Sequence, residues 1–228
     1  LGKYKNEIAL IGDKNEKITY KRLVLESDKI QKNIKNNSLV LLICKNSIES
    51  IIGYISFLKN DHITIMADAN FEKKYLNRLV NIYKPRYIFS QRDLLNQKHL
   101  KEIYTLKEFS LFENYKYTKA KINKQNYLLL STSGSTGSPK FVRISKDNIL
   151  DNTKKIINYL NIKSNHTTIT TMPMAYSYGL SVINTHLEFG GRIYLNDISP
   201  VNINFWKIIK KNKINIFSTV PQICEFLK

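Results

Sequence analysis

Tyr127-Leu128-Leu129-Leu130, then Ser131-Thr132-Ser133-Gly134-Ser135-Thr136-Gly137-Ser138-Pro139-Lys140, then Phe141-Val142-Arg143-Ile144: two apolar runs bracket a loop of hydroxyl side chains, two glycines, a proline and a lysine. The runs have the length and composition of strands, so the loop is predicted to stand on a rigid base, unlike a linker. Gly134 and Gly137 can take backbone angles closed to other residues, which lets the chain wrap an anion with its N–H groups turned inward. The hydroxyls add donors, and Lys140 adds a compact positive charge. Together they predict a phosphate-handling loop. Ser131 and Pro139 are assigned only to shaping the turn.

Spacing excludes two common phosphate motifs. A Walker A loop places lysine directly after the second glycine of G-x-x-x-x-G, whereas Gly134 and Gly137 are too close and Ser138-Pro139 intervenes; G-x-G-x-x-G is absent. What remains, T-S-G-S-T-G-x-P-K, closely resembles the signature of the adenylate-forming superfamily: acyl-CoA synthetases, aryl-acid ligases, luciferases and the adenylation domains of peptide synthetases. The resemblance extends along the chain. Ala9-Leu10-Ile11-Gly12-Asp13 and Ile18-Thr19-Tyr20-Lys21-Arg22-Leu23 look like the family's opening hairpin and the helix after its T-Y-x-x-L segment. Leu39 to Cys44 followed by Lys45-Asn46-Ser47 resembles a buried strand ending in a K-N-S turn. Met172-Pro173-Met174-Ala175-Tyr176-Ser177-Tyr178-Gly179-Leu180-Ser181 and Phe217-Ser218-Thr219-Val220-Pro221 match two further motifs in order.

The organisation alternates. Leu39 to Cys44 reads as a strand, Ser47 to Leu58 as a helix capped by Ser47, Ile63 to Met66 as a strand, Phe71 to Tyr83 as a helix and Arg86 to Phe89 as a strand. Glu49 and Glu72 fall early in their helices, where negative charge suits the dipole. After the loop come a helix at Asp147 to Leu160, a strand at Thr167 to Thr170, a helix at Leu180 to Glu188, a turn at Gly190-Gly191, a strand at Arg192 to Leu195, a helix at Phe205 to Lys211 and a strand at Ile214 to Ser218. Such alternation predicts an α/β fold of mostly parallel sheet flanked by helices. A chain of 228 residues can form two lobes, expected at 1–112 and 127–228 and joined by the polar connector 113–126. By resemblance they form part of the large N-terminal domain of an adenylate-forming enzyme. The chain opens on Leu1-Gly2 and stops soon after Pro221, so it reads as an N-terminal portion. The family's later motifs for adenine, ribose and magnesium, and its C-terminal lid domain, are expected outside it, and the isolated piece is expected to be inactive.

The resemblance implies a chemistry. ATP activates a carboxylate by losing pyrophosphate, and positioned N–H groups, hydroxyls and a lysine stabilise the departing charge without an enzyme nucleophile. Thr132, Ser133, Gly134, Ser135, Thr136, Gly137 and Lys140 take that role by resemblance, Lys140 as the catalytic cation. Tyr176, Ser177, Tyr178 and Gly179 are the implied substrate-binding residues, although Tyr176 and Tyr178 also suit ordinary aromatic packing. Amino-acid-activating relatives carry an aspartate in this motif to pair with the substrate ammonium; no acidic residue lies between Thr167 and His186, which disfavours an α-amino acid because a buried unpaired ammonium is costly. Many acyl- and aryl-CoA ligases have histidine where Tyr176 stands. The implied cofactors are ATP and Mg2+, with metal ligands mainly outside this chain, and the implied partners are a carboxylic acid and CoA or the phosphopantetheine of an acyl carrier protein.

The net charge of +18 raises the alternative of a noncatalytic polyanion-binding domain. Lysine supplies 30 of the 36 positive side chains and arginine only 6, with 25 asparagines, a pattern of codon bias more than of a designed contact face. No nucleic-acid-binding motif appears, so no specific nucleic-acid partner is expected. Cys44 and Cys224 lie in apolar contexts without C-x-x-C spacing and read as buried reduced thiols. His62, His99, His166 and His186 are scattered, and no metal site is expected. No signal peptide or long apolar run is present, which reads as cytoplasmic with no transmembrane segment.

Overall fold

The computed structural model describes residues 2–95, 97–119, 127–131 and 140–226. In chain order the elements are β1 (Ile8–Ile11), β2 (Lys17–Thr19), α1 (Tyr20–Gln31), β3 (Leu39–Cys44), α2 (Ile48–Lys59), β4 (Ile63–Asp68), α3 (Lys73–Tyr83), β5 (Tyr87–Gln91), β6 (Leu100–Leu106), β7 (Phe109–Asn114) and β8 (Leu128–Ser131). There follow β9 (Phe141–Ile144), α4 (Lys146–Leu160), β10 (Thr167–Ile169), α5 (Ser177–Phe189), β11 (Arg192–Tyr194), α6 (Ile203–Lys211), β12 (Ile216–Phe217) and α7 (Pro221–Phe226). This is an α/β fold with two sheets flanked by helices.

The seven-stranded sheet has the order β6-β7-β5-β3-β4-β8-β9. Its centre, β5, β3, β4 and β8, is parallel, and β7, β6 and β9 are antiparallel additions at the edges. A parallel centre must be covered on both faces, which accounts for the unbroken apolar runs of β3 and β4. On one face Leu76, Leu79 and Val80 of α3 pack on Leu41, Ile43, Ile65 and Ile88. On the other α2 comes so close that a Cβ on Gly53 would lie 2.6 Å from Phe89, and Phe57 meets Phe89 edge-on at 6.2 Å. Lys84 in the left-handed conformation (φ 42°), followed by Pro85, ends α3. Ser145 and Asn148 exchange side-chain-to-backbone hydrogen bonds at the start of α4, an N-terminal capping arrangement.

The five-stranded sheet has the order β12-β10-β11-β1-β2, parallel except for β2. Its core gathers Ile11, Ile169, Tyr194, Phe205 and Ile214, with Trp206 and Phe217 packed alongside. The Phe205, Trp206 and Phe217 rings meet edge-on at 5.4 to 5.9 Å. Tyr20, from the T-Y-x-x-L segment, donates its hydroxyl to the Gly191 carbonyl at 2.6 Å and so ties the start of α1 to the turn before β11. Burial pushes that phenol well above the usual tyrosine range.

The division of the chain differs from the expected one. One compact unit comprises 1–23, 46–48 and 150–228, the other 24–45 and 49–149. The opening hairpin therefore belongs with the later strands: Leu10 pairs with Ile193 and Ile11 with Tyr194. β8 and β9, expected to open a second lobe at 127, extend the first sheet instead, with Thr64, Ile65 and Met66 pairing with Leu128, Leu129 and Leu130. Part of the expected connector, Glu113 and Asn114, ends strand β7. Apolar periodicity identifies a strand but not its neighbour, and here the neighbours are far apart in sequence. Cys224 also departs from expectation. It is exposed, because α7 presents it outward at the end of the described chain, while Cys44 is buried as expected.

Candidate active site

In parallel α/β sheets the groups that meet ligands gather beyond the carboxyl ends of the strands, where loops are free to vary on a fixed frame. The phosphate-loop residues Thr132, Ser133, Gly134, Ser135, Thr136 and Gly137 lie outside the described residues. Their anchors do not. Ser131 is the last residue of β8 and Lys140 immediately precedes β9; the register pairs Ser131 with Phe141 and continues through Leu130 and Val142. β8 thus ends at Ser131 as a parallel strand beside β4, which itself ends at Asp68. Lys140 is exposed.

The neighbouring strands β3 and β4 end in a thiol, Cys44, and a carboxyl, Asp68. The Cys44 thiol, buried at the end of β3, donates to the Ala67 carbonyl at 3.5 Å; desolvation, and secondarily the Asp68 carboxylate, push its pKa far upward, so it stays a thiol. Asp68 is buried and its Oδ1 accepts from Asn70 N at 2.9 Å, shaping the turn after β4. Ser131 Oγ is buried and has no hydrogen-bond partner among the described residues. Among the described residues no group of three His, Cys, Asp or Glu could hold a metal ion.

The second set of residues, Tyr176 to Gly179, belongs to the unit built on the five-stranded sheet. There Thr170 and Thr171 follow β10, and Met172-Pro173-Met174-Ala175 leads into α5. The helix begins at Ser177, three residues earlier than apolar spacing suggests, so Tyr176 is its N-cap and Ser177, Tyr178 and Gly179 form its first turn. Thr170 Oγ1 donates to Asn196 O at 2.9 Å and accepts from Asn196 N at 2.8 Å, joining the ends of β10 and β11. Thr171 Oγ1 donates to Ser218 O, and the half-exposed Tyr178 donates its hydroxyl to Thr219 O at 3.1 Å. Thr171 and Tyr178, on either side of the Met172-to-Ser177 segment, thus bond two main-chain carbonyls of the Phe217-to-Pro221 motif.

Two further features fix this turn. A Cβ on Gly179 would lie 2.7 Å from Met172 O and 2.8 Å from Pro173 C, so only glycine lets the helix approach. On another side the Asn46 amide takes both polar groups flanking Pro173. Its Nδ2 donates to Met172 O at 3.3 Å and its Oδ1 accepts from Met174 N at 3.1 Å. Asn46 was visible in sequence only as part of the K-N-S turn; nothing local indicates its partner, 126 residues away.

A family model described as "AMP-binding enzyme" matches residues 1–227. The chain belongs to that family. Among its relatives, the D-alanine–D-alanyl carrier protein ligase of Staphylococcus haemolyticus is 22% identical over 98% of this chain and 47% of the relative. Gramicidin S synthase 2 of Brevibacillus brevis is 22% identical over 93% of this chain and 5% of the relative. The chain thus spans about half, or far less, of the curated relatives it matches. Among solved structures, o-succinylbenzoate CoA synthetase of Bacillus subtilis, in complex with its acyl-adenylate intermediate, superposes with a TM-score of 0.79 at 16% identity, over 98% of this chain and 61% of that one. At that identity the likeness concerns the fold, and it agrees with the N-terminal domain expected from sequence. No helix among the described residues is long and apolar enough to cross a membrane.

Proposed function

We propose that this chain is the phosphate-binding and acid-binding part of an ATP-dependent, AMP-forming ligase that activates an organic or fatty acid as its acyl-adenylate and passes it to a thiol. The observation carrying this reading is the T-S-G-S-T-G-x-P-K sequence that follows Ser131, the last residue of β8, and ends at Lys140 just before β9, within a chain matched by the AMP-binding family over nearly its whole length. In the first step a carboxylate oxygen of the acid attacks the α-phosphorus of ATP. The bond to the bridging oxygen breaks, and pyrophosphate leaves with the electron pair. Thr132 to Gly137 supply N–H and O–H donors to the β- and γ-phosphates, and Lys140 supplies a positive charge, so charge growing on the leaving group meets prearranged partners. In the second step a thiol sulfur, of CoA or of a carrier's phosphopantetheine, attacks the acyl carbon and displaces AMP. Mg2+ would neutralise phosphate charge when bound; none of this chain's residues is assigned to it.

Tyr176, Ser177, Tyr178 and Gly179 are assigned to recognising the acid. An α-amino acid is the second reading, favoured by the carrier-ligase and gramicidin-synthase relatives. Against it, none of these four residues is acidic and the site of Gly179 is closed to any side chain, so nothing in the motif could pair an ammonium. Pyrophosphate release by the full-length protein, measured across fatty, aryl and amino acids, decides between them. Release with fatty or aryl acids and not with amino acids is expected. Release driven only by amino acids would replace the first reading by the second, and strong DNA affinity with no ATP effect would favour a polyanion-binding domain.

A further inference from the structure

We infer that Asn46 is a positioning residue for acid recognition: its side-chain amide substitutes for a missing strand beside Met172-Pro173-Met174 and thereby sets the place of Tyr176. The inference rests on the proposal that Tyr176 to Gly179 contact the acid.

Pro173 has no N–H, so on its own account it offers a neighbour only a carbonyl, and a hold on this turn has to use the groups that flank it. In a parallel ladder, one residue's N–H and C=O bond to the C=O and N–H on either side of the facing residue, leaving the facing residue's own groups unused. The Asn46 amide reproduces this pattern around Pro173, donating to Met172 O and accepting from Met174 N. Among side chains of this length only Asn has a donor and an acceptor fixed in one plane; Asp offers acceptors alone at neutral pH.

The hold reaches Tyr176 through short steps. Tyr176 N donates to Pro173 O at 3.2 Å, and Leu180 N donates to Tyr176 O at 3.0 Å. Met174 and Ala175 are buried, so they cannot absorb a shift by swinging outward. Gly179 closes against Met172 and Pro173 without space for even a methyl group. The turn is thus gripped by Asn46 and by the first turn of α5. Releasing the Asn46 grip frees the backbone from which Tyr176 projects, while the phosphate-loop residues belong to a different part of the chain.

The experiment compares Asn46→Ala and Asn46→Asp with the parent in the full-length protein. Pyrophosphate release is measured against acid and ATP concentration over an acid panel, and hydrogen exchange of the peptide holding Met174 and Tyr176 is followed. Loss of one to two hydrogen bonds predicts a rise of about tenfold or more in KM for the acid, a changed acid ranking and faster exchange in that peptide. KM for ATP should change by less than about twofold. Asn46→Asp should resemble Asn46→Ala, since it keeps only the acceptor. Unchanged acid KM and ranking in an active variant would overturn the inference, as would equal rises in both KM values. Loss of folding in both variants would reduce Asn46 to a structural role and overturn it too. A parent that releases no pyrophosphate with any acid would count instead against the proposed function.

Discussion

Gly179→Ala sets two opposing effects against each other. Gly179 lies in the first turn of α5, where alanine would ordinarily favour the helix by about 1 kcal/mol. The added Cβ, however, would lie 2.7 Å from Met172 O and 2.8 Å from Pro173 C, and nearest of all to Pro173 O. Comfortable contacts of this kind begin near 3.5 Å, so helix and turn must separate by roughly 1 Å. The atoms struck are main chain and cannot rotate away. Met172 O is held by Asn46 and Pro173 O by Tyr176 N, so moving them strains both bonds. Overpacking costs about 1 to 3 kcal/mol, and contact with fixed main-chain atoms puts this case in the upper half, about 2 to 3 kcal/mol, which outweighs the gain in propensity by about 1 to 2 kcal/mol. In a chain of this size that lowers the melting temperature by about 2 to 8 °C. Thermal unfolding of the full-length parent and variant, followed by circular dichroism, measures it, and acid KM should rise in the same protein. A variant melting at or above the parent temperature would refute the steric account, because propensity would then have won.

Lys140→Ala should lower pyrophosphate release at subsaturating ATP by about 10- to 100-fold, the worth of a charge-assisted contact, and leave melting nearly unchanged because Lys140 is exposed; equal release would remove Lys140 from the mechanism. Tyr176→Ala should reorder the acids by about 1 to 3 kcal/mol while altering apparent ATP affinity less; an unchanged ranking in a folded variant would return Tyr176 to simple packing. His62 is buried and held neutral, its Nδ1 accepting from Ser38 N at 3.2 Å and its Nε2 2.8 Å from Gln31 Oε1, and desolvation lowers its pKa from 6.5 to about 4. Between those values the unfolded chain takes up a proton that the folded one refuses, so stability is full above pH 6.5 and falls toward pH 4, by up to about 3 kcal/mol. Urea midpoints at pH 7 and 4.5 should therefore differ less in His62→Gln than in the parent; an equal difference would exclude His62 as the source.

The parts legible in sequence are those set by local pattern. β3 and β4 are readable because each is a short apolar run followed by a helix of clear period, β5 because its apolar run follows one, and the family is readable because few others carry that mix of glycine, hydroxyl and lysine before β9. The hairpin of β6 and β7 has no comparable signal. β6 is an edge strand with Lys101 and Glu102 turned to solvent, so its apolar signal is diluted, and Lys107, at φ 53°, makes the tight turn without glycine. α7 is likewise silent in sequence, its six residues being too few to show a period. In the candidate site, the early start of α5 escaped notice because Tyr176, Ser177 and Tyr178 carry no apolar repeat; that helix is set by its packing on Met172 and Pro173, a tertiary effect.

The sequence also hid the division of labour between the sheets, for a physical reason. A parallel strand needs a crossover to reach its neighbour, so the chain can leave one sheet and return to it a hundred residues later with no local signal. β1 finds β11 in this way, and β8 finds β4. The groups that hold the Met172-to-Gly179 turn share that history: Asn46 follows β3, Thr171 follows β10 and the Thr219 carbonyl follows β12. Each contributes through the polar groups of strand ends, and several of the receiving atoms are main-chain carbonyls. Side chains at Tyr176 and Ser177 can consequently vary without loss of these bonds, whereas Asn46 and Gly179 cannot. A turn so built keeps its path while the side chains it presents are free to change.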